Sequence, residues 1–171
     1  MTRYRVQPGA SSVSTLMRSS VHNLHAETRT VAGAIDGELD GNGVPRFEAA
    51  HGARLQVPVE GIRSGNRLQD MEMQRRLDPR KHPLIEVVVD RAWQFEGQDR
   101  CRAAFRVTAR GRTQSFEGDF RMRLEGRRLV VEGEHSFDMR DFDVNPPRFL
   151  ALKVGPKVTV QARIVADRED S

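Results

Sequence analysis

The sequence predicts an all-β fold, a sandwich or barrel of about eight to ten short antiparallel strands. Three observations carry this. Apolar residues recur with a period of two along most of the chain, which is the period of a half-buried strand. Glycine-centred turns separate the alternating runs at short spacing. A single segment breaks the pattern, and it reads as one short helix around residues 66–77.

The elements follow in order. Arg3–Gln7 and Ser12–Leu16 are short strands divided by Pro8-Gly9. Val31, Gly33, Ile35, Gly37 and Leu39 share one face of the next strand. Gly41-Asn42-Gly43 turns it toward a strand carrying Leu55, Val57 and Val59. After the helix, Ile85, Val87 and Val89 alternate with Glu86, Val88 and Asp90. That strand is expected to run on through Trp93 and Phe95 to a turn at Gly97-Gln98-Asp99. Cys101, Ala103, Phe105, Val107 and Ala109 alternate with Arg and Thr before a turn at Gly111. Phe116, Gly118, Phe120, Met122 and Leu124 form the next inner face, and Gly126 closes a hairpin. In the following strand Leu129, Val131, Gly133, His135 and Phe137 point one way. Val130, Glu132, Glu134, Ser136 and Asp138 point the other. Val158, Val160, Ala162 and Ile164 make the last inner face.

In the helix, Asn66 stands at the N-cap, with Gln69 three residues on, as a capping box requires. Asp70 and Glu72 near the start and Arg75 and Arg76 near the end suit the helix dipole. Leu68 and Met71 lie at helical spacing and are expected to face the sheet.

Composition narrows the function classes. The 171 residues correspond to one domain spanning 1–171. Hydrophobic residues make up 37%, and 28 Lys+Arg stand against 24 Asp+Glu, a formal charge of +4. The charges are mixed in sign along the chain, which gives solubility and no polybasic block. No apolar run reaches the roughly 18 residues of a membrane-spanning helix. One Cys precludes an internal disulfide framework. The N-terminal Met1–Pro8 has no apolar core of a secretory leader. A cytoplasmic location is therefore expected of the chain as written, and a periplasmic one if a native leader has been removed.

Candidate chemistry is sparse. Cys101 shares a face with Phe105 and reads as a buried thiol without a positioned base. His22 and His25 fall in strand-like alternation and have no Cys or His-Glu companions, so no metal site is expected. Asp138, Asp141 and Asp143 lack the Gly and distal Glu of a calcium loop. No nucleophile elbow, phosphate-binding glycine loop or dinucleotide fingerprint is present, so the chain is not expected to be an enzyme. Phe105, Phe116, Phe120 and Phe137 lie on apolar faces with Arg opposite, which argues against a nucleic-acid stacking surface. His135 lies on an apolar face. It is either a hydrogen-bonded core residue or a polar contact inside a ligand cavity. The small inward residues Gly33, Gly37, Ala103, Ala109, Gly118, Gly133 and Ala162 either let large neighbours interdigitate or leave volume for a ligand.

The chain resembles the bacterial YceI-like proteins. Tyr4-Arg5-Val6-Gln7-Pro8 with Ser11-Ser12-Val13 is similar to the family's first strand and turn. Val31–Leu39 resembles its glycine-containing second strand. The fullest match is Ser64-Gly65-Asn66-Arg67-Leu68-Gln69-Asp70, then Leu77-Asp78, then His82-Pro83-Leu84-Ile85. Ala109-Arg110-Gly111-Arg112-Thr113 is similar to the family's Gly-x-Thr hairpin. Phe137, Asp141-Phe142-Asp143-Val144 and Val158–Val165 resemble the closing strands.

This resemblance implies an extended, lipocalin-like antiparallel barrel of eight strands with one short helix. It implies a binding or carrier protein that holds a long amphiphilic lipid, a polyisoprenoid or a fatty-acid-like chain, and no other cofactor. The ligand-lining residues would then be Val31, Leu55, Val57, Val87, Phe105, Phe120, Met122, Phe137 and Ile164, with Leu68 and Met71 closing one end. Asn66, Arg67 and Asp70 would fix the helix and meet a polar head group. Family members commonly pair, so a homodimer is a further expectation. The alternative is a packed barrel without a lipid, acting as a non-catalytic interaction or stress-related module.

Overall fold

The computed structural model of the chain describes residues 2–39, 45–46, 52–94, 99–149 and 152–169. The expected turn at Gly41-Asn42-Gly43, together with Phe95 and Gly97-Gln98, lies outside the described residues. The strands are β1 (Thr2–Val6), β2 (Ser12–Ser19), β3 (Asn23–Thr28), β4 (Ala32–Leu39), β5 (Pro45–Arg46) and β6 (Ala53–Pro58). Helix α1 (Arg67–Leu77) follows. Then come β7 (Leu84–Gln94), β8 (Arg100–Ala109), β9 (Arg112–Glu125), β10 (Arg128–Asp138), β11 (Arg148–Phe149) and β12 (Leu152–Arg168).

Eight strands close a barrel in the order β1-β4-β6-β7-β8-β9-β10-β12, with β12 returning to β1 through Tyr4–Arg168 to Val6–Ala166. All pairings are antiparallel. Closure removes most of the sheet edge; among the described residues, β3 and the stretch between residues 112–119 of β9 and 134–138 of β10 keep one side without strand pairing. β12 spans 17 residues and serves two neighbours in succession. Its middle pairs with β2 from Ser12–Arg163 to Met17–Val158, and its end pairs with β1. β2 and β3 form a hairpin outside the eight-stranded ring. A bridge between Glu27 and Arg63 ties that hairpin to the segment before α1.

The alternation read from the sequence locates most strands within a few residues. β3 was legible only as a tendency, because its inner face carries Leu24, Ala26 and Thr28, a weak apolar set. Val130 departs from the expected outward face. It pairs with Val165, and both are 1% exposed, so this corner of the barrel is covered on both sides.

At the β8–β9 hairpin, Arg110 and Gly111 both have positive φ, 50° and 75°, as a twisted two-residue hairpin loop demands. Gly33 is required for a different reason. Its φ is 142°, and a Cβ there would lie 2.0 Å from the carbonyl oxygen of Arg54 on β6.

Two apolar clusters fill the two ends of the barrel. One gathers Tyr4, Val31, Ile35, Met122, Leu129 and Ile164. The other gathers Met17, Leu24, Met139, Phe142, Val144 and Val154 beneath α1. Ile85 and Phe105 pack against both.

Helix α1 begins as expected, with Asn66 accepting from the N–H of Leu68 and of Gln69 at 3.1 Å each. Its orientation differs from expectation. Leu68 and Met71 are 73% and 59% exposed and face away from the sheet. Met73 and Leu77 pack inward instead. Two polar contacts set this rotation. Asp70 accepts from the N–H and the hydroxyl of Ser64 at 2.8 and 2.7 Å, and Gln74 donates to the carbonyl of Val59 at 2.8 Å. With Asp70 and Gln74 held against the barrel, the residues at helical spacing from them turn inward and Leu68–Met71 turns out.

Candidate functional site

The inward faces enclose an apolar cavity of about 400 Å³. Every β-strand residue expected to line it does so. β4 and the segment before it supply Val31 and Ile35, β6 supplies Leu55 and Val57, and β7 supplies Ile85 and Val87. Phe105 comes from β8, Phe120 and Met122 from β9, Phe137 from β10 and Ile164 from β12. The volume falls in the range typical of small-molecule sites, which are concave, apolar and largely pre-formed.

Apart from Asp70, the helix end is closed by residues that were not expected to line the cavity. Gln69, Asp70, Met73, Gln74 and Leu77 line the cavity from α1. Met17 and Leu24 of the hairpin and Met139 and Phe142 of the turn after β10 complete that end. The Met73–Leu77 pair at i,i+4 was the available signal, and it competed with Leu68–Met71 at i,i+3. Of the expected head-group residues, Asp70 lines the cavity but is committed to Ser64. Asn66 caps the helix, and both Asn66 and Arg67 are exposed and outside the lining.

Glycines make little of the volume. Gly118 leaves room for the ring of His135, whose Nδ1 lies 3.1 Å from where a Cβ would be. Gly133 accommodates Phe120, whose Cβ would be 3.3 Å away. The alanines Ala103, Ala109 and Ala162 do border the cavity.

An aromatic group stands on one wall. Phe105, Phe116 and Phe137 surround His135 with ring centroids at 5.4, 5.4 and 4.7 Å. Among the described residues nothing hydrogen-bonds its imidazole. Burial pushes the His135 pKa below its ordinary value of 6.5, so the ring is neutral at pH 7, with one donor and one acceptor nitrogen.

Chemistry elsewhere is occupied or inert. Burial pushes the Cys101 thiol up to about 11, far from a thiolate at neutral pH. Asp138 caps the turn after β10 and is held down at about 2, chiefly by its hydrogen bonds from Arg140. His22 and His25 are both exposed, and His25 borders the cavity next to Leu24. Among the described residues, no helix is long and apolar enough to cross a membrane.

The strands thus form a closed eight-stranded antiparallel barrel around an apolar cavity. Residues 4–166 match the model of the YceI-like domain, and the chain belongs to that family. Among solved structures it is similar to BcnA of Burkholderia cenocepacia, with a TM-score of 0.77 at 13% identity, over 94% of this chain and 99% of that one. It is also similar to a polyisoprenoid binding domain from Saccharophagus degradans implicated in plant cell wall breakdown. That match has a TM-score of 0.75 at 11% identity, over 97% of this chain and 98% of that one. The Campylobacter jejuni YCEI protein matches at 0.67 and 9% identity, over 88% of each chain. No curated protein is significantly similar in sequence.

Proposed function

We propose that this protein is a non-catalytic carrier that holds the chain of an amphiphilic lipid, a polyisoprenoid or similar molecule, inside the barrel. The cavity carries this reading. Its lining is overwhelmingly apolar; Ser64 and Asp70 are committed to each other and the Gln74 amide nitrogen to the Val59 carbonyl, while Gln74 Oε1 is buried without a partner among the described residues. The likeness to a polyisoprenoid binding domain supports the same ligand class. Burial of apolar surface, at roughly 25 cal/mol per Å², is the driving force.

The volume bounds the chain. At about 30 Å³ for each water-sized group, 400 Å³ accommodates a chain of roughly a dozen carbons. The remainder of a longer isoprenoid would extend outside the barrel. Solvent extraction of the purified protein followed by mass spectrometry tests the reading. A co-purified long-chain lipid supports it. Absence of lipid, together with failure to take up an apolar dye such as 1-N-phenylnaphthylamine, overturns it.

A further inference from the structure

The barrel wall has a window. The β9–β10 register runs from Glu125–Arg128 to Phe120–Gly133 and ends there. Residues 112–119 of β9 then pair only with β8, and residues 134–138 of β10 only with β12. The far end of the gap is closed by a side-chain contact, Gln114 donating to the carbonyl of Asp141 at 2.8 Å. Phe116, Gly118, His135 and Phe137 occupy the space between. Five residues at this gap and beside it, Asp119, Phe120, Gly133, Glu134 and Ala162, border both the interior cavity and a polar groove on the outside of the barrel. These five residues stand between the interior cavity and the outer groove, next to the unpaired stretch that carries His135.

We infer that the ligand's head group sits in this window, that it is an uncharged hydroxyl, and that His135 hydrogen-bonds it while the chain lies in the barrel. The inference rests on the carrier reading above and specifies its ligand. Two observations argue for it. His135 presents a donor and an acceptor to the cavity with no protein partner. The ring is half-buried, and a ligand hydroxyl in the seam would supply the partner the protein does not. Its surroundings carry no charge to balance an anion: β8 gives Phe105, β9 gives Phe116 and Gly118, and β12 gives Val160 opposite in register.

At the rim stand two carboxylates, Asp119 and Glu134. Asp119 is paired with Arg102 at 2.9 Å. The groove beyond carries Arg100, Arg121 and Arg163 against Asp119, Glu132 and Glu134, a balanced set with no net charge to select an anion.

Acid should release such a ligand. Protonation of His135 places an imidazolium among three phenyl rings, removes its acceptor nitrogen and draws water into the window.

The test compares dodecan-1-ol with dodecyl methyl ether, by displacement of 1-N-phenylnaphthylamine. The two have similar chains, and the ether cannot donate. The readout is the ratio of their affinities, in which a change of cavity shape largely cancels. At pH 7.5 the wild-type protein should prefer the alcohol about fivefold, the effect of one net hydrogen bond. His135→Leu should abolish the preference and His135→Gln restore it. Titration downward from pH 6.5 should erase it in the wild type once His135 is protonated and leave it in His135→Gln. An unchanged ratio in His135→Leu overturns the inference, as does tighter binding of dodecanoate than of dodecan-1-ol at pH 7.5. Uptake of dye with no preference between alcohol and ether overturns the inference and leaves the carrier reading standing. Uptake of neither dye nor any chain overturns both.

Discussion

Phe116 on β9 and Phe137 on β10 meet edge to face, ring centroids 4.9 Å apart at 90°, across a stretch where the two strands share no register. Side-chain packing there takes the place of a backbone ladder. Loss of either ring should cost about 2–3 kcal/mol, less than the 3–5 of a fully buried Phe because both are half-buried. A double-mutant cycle of Phe116→Ala and Phe137→Ala should show a coupling of about 0.5–1.5 kcal/mol. Seam-facing amides within 113–119 should exchange hydrogen faster than those of β10 and β12 in their shared register. Equal protection in the two places would show that the seam is closed.

The orientation of α1 makes a second prediction. Leu68→Gln and Met71→Gln replace exposed apolar side chains and should change stability by less than about 0.5 kcal/mol. Met73→Ala and Leu77→Ala remove inward-packed side chains and should each cost about 1–3 kcal/mol. Urea denaturation of the four variants checks the order. If Leu68→Gln were the costliest, the helix would be turned as its sequence alone implies.

That contrast marks what the sequence could reveal. Period-two alternation is dictated by the pleat, so Phe105, Phe120, Phe137 and Ile164 were legible as inner-face residues without any knowledge of their neighbours. The rotation of α1 depends on Asp70 reaching Ser64 and Gln74 reaching the Val59 carbonyl. Those are tertiary contacts, and periodicity carries no trace of them. Gly33 and Gly118 were legible as small inward residues, yet their reasons are a carbonyl on the neighbouring strand and the ring of His135. The window was hidden for the same reason, since β9 and β10 both alternate without interruption through the point where their pairing stops.

Gly33→Ala is the third prediction. The new methyl would collide with the Arg54 carbonyl at 2.0 Å in a conformation, φ 142°, that L-residues rarely adopt. The neighbour is backbone and cannot rotate aside. A cost above about 2 kcal/mol is expected, as for other strained backbone positions. Thermal melting of the variant, beside Gly155→Ala as a control where a Cβ would meet only the Arg18 carbonyl oxygen at 3.7 Å, measures the difference.

The fourth prediction concerns acid. His135 titrates below its ordinary 6.5 because burial disfavours the charged ring. Below pH 6.5 the unfolded chain therefore binds this proton more readily than the folded one. Stability from this residue is complete above pH 6.5 and is lost as the pH falls toward the folded-state pKa. Urea midpoints at pH 7.5 and 5.0 should drop further in the wild type than in His135→Phe. An equal drop would show that the ring carries no such linkage.

Ligand length is the last. Each methylene that enters the cavity should contribute about 0.8 kcal/mol, or about fourfold in affinity. The gain must stop when the cavity is full. For a series of primary alcohols from eight to twenty carbons, affinity should climb by that step and then level near a chain of about a dozen carbons, set by 400 Å³ at roughly 30 Å³ for each water-sized group. Narrowing the cavity should move the plateau. Ala103→Leu places a larger side chain on the lining and should shorten the optimum by a few carbons while the slope below it stays the same. Dye displacement across the series gives both slope and plateau. A slope that continued undiminished to twenty carbons would mean that the chain is bound along the surface and not within the barrel.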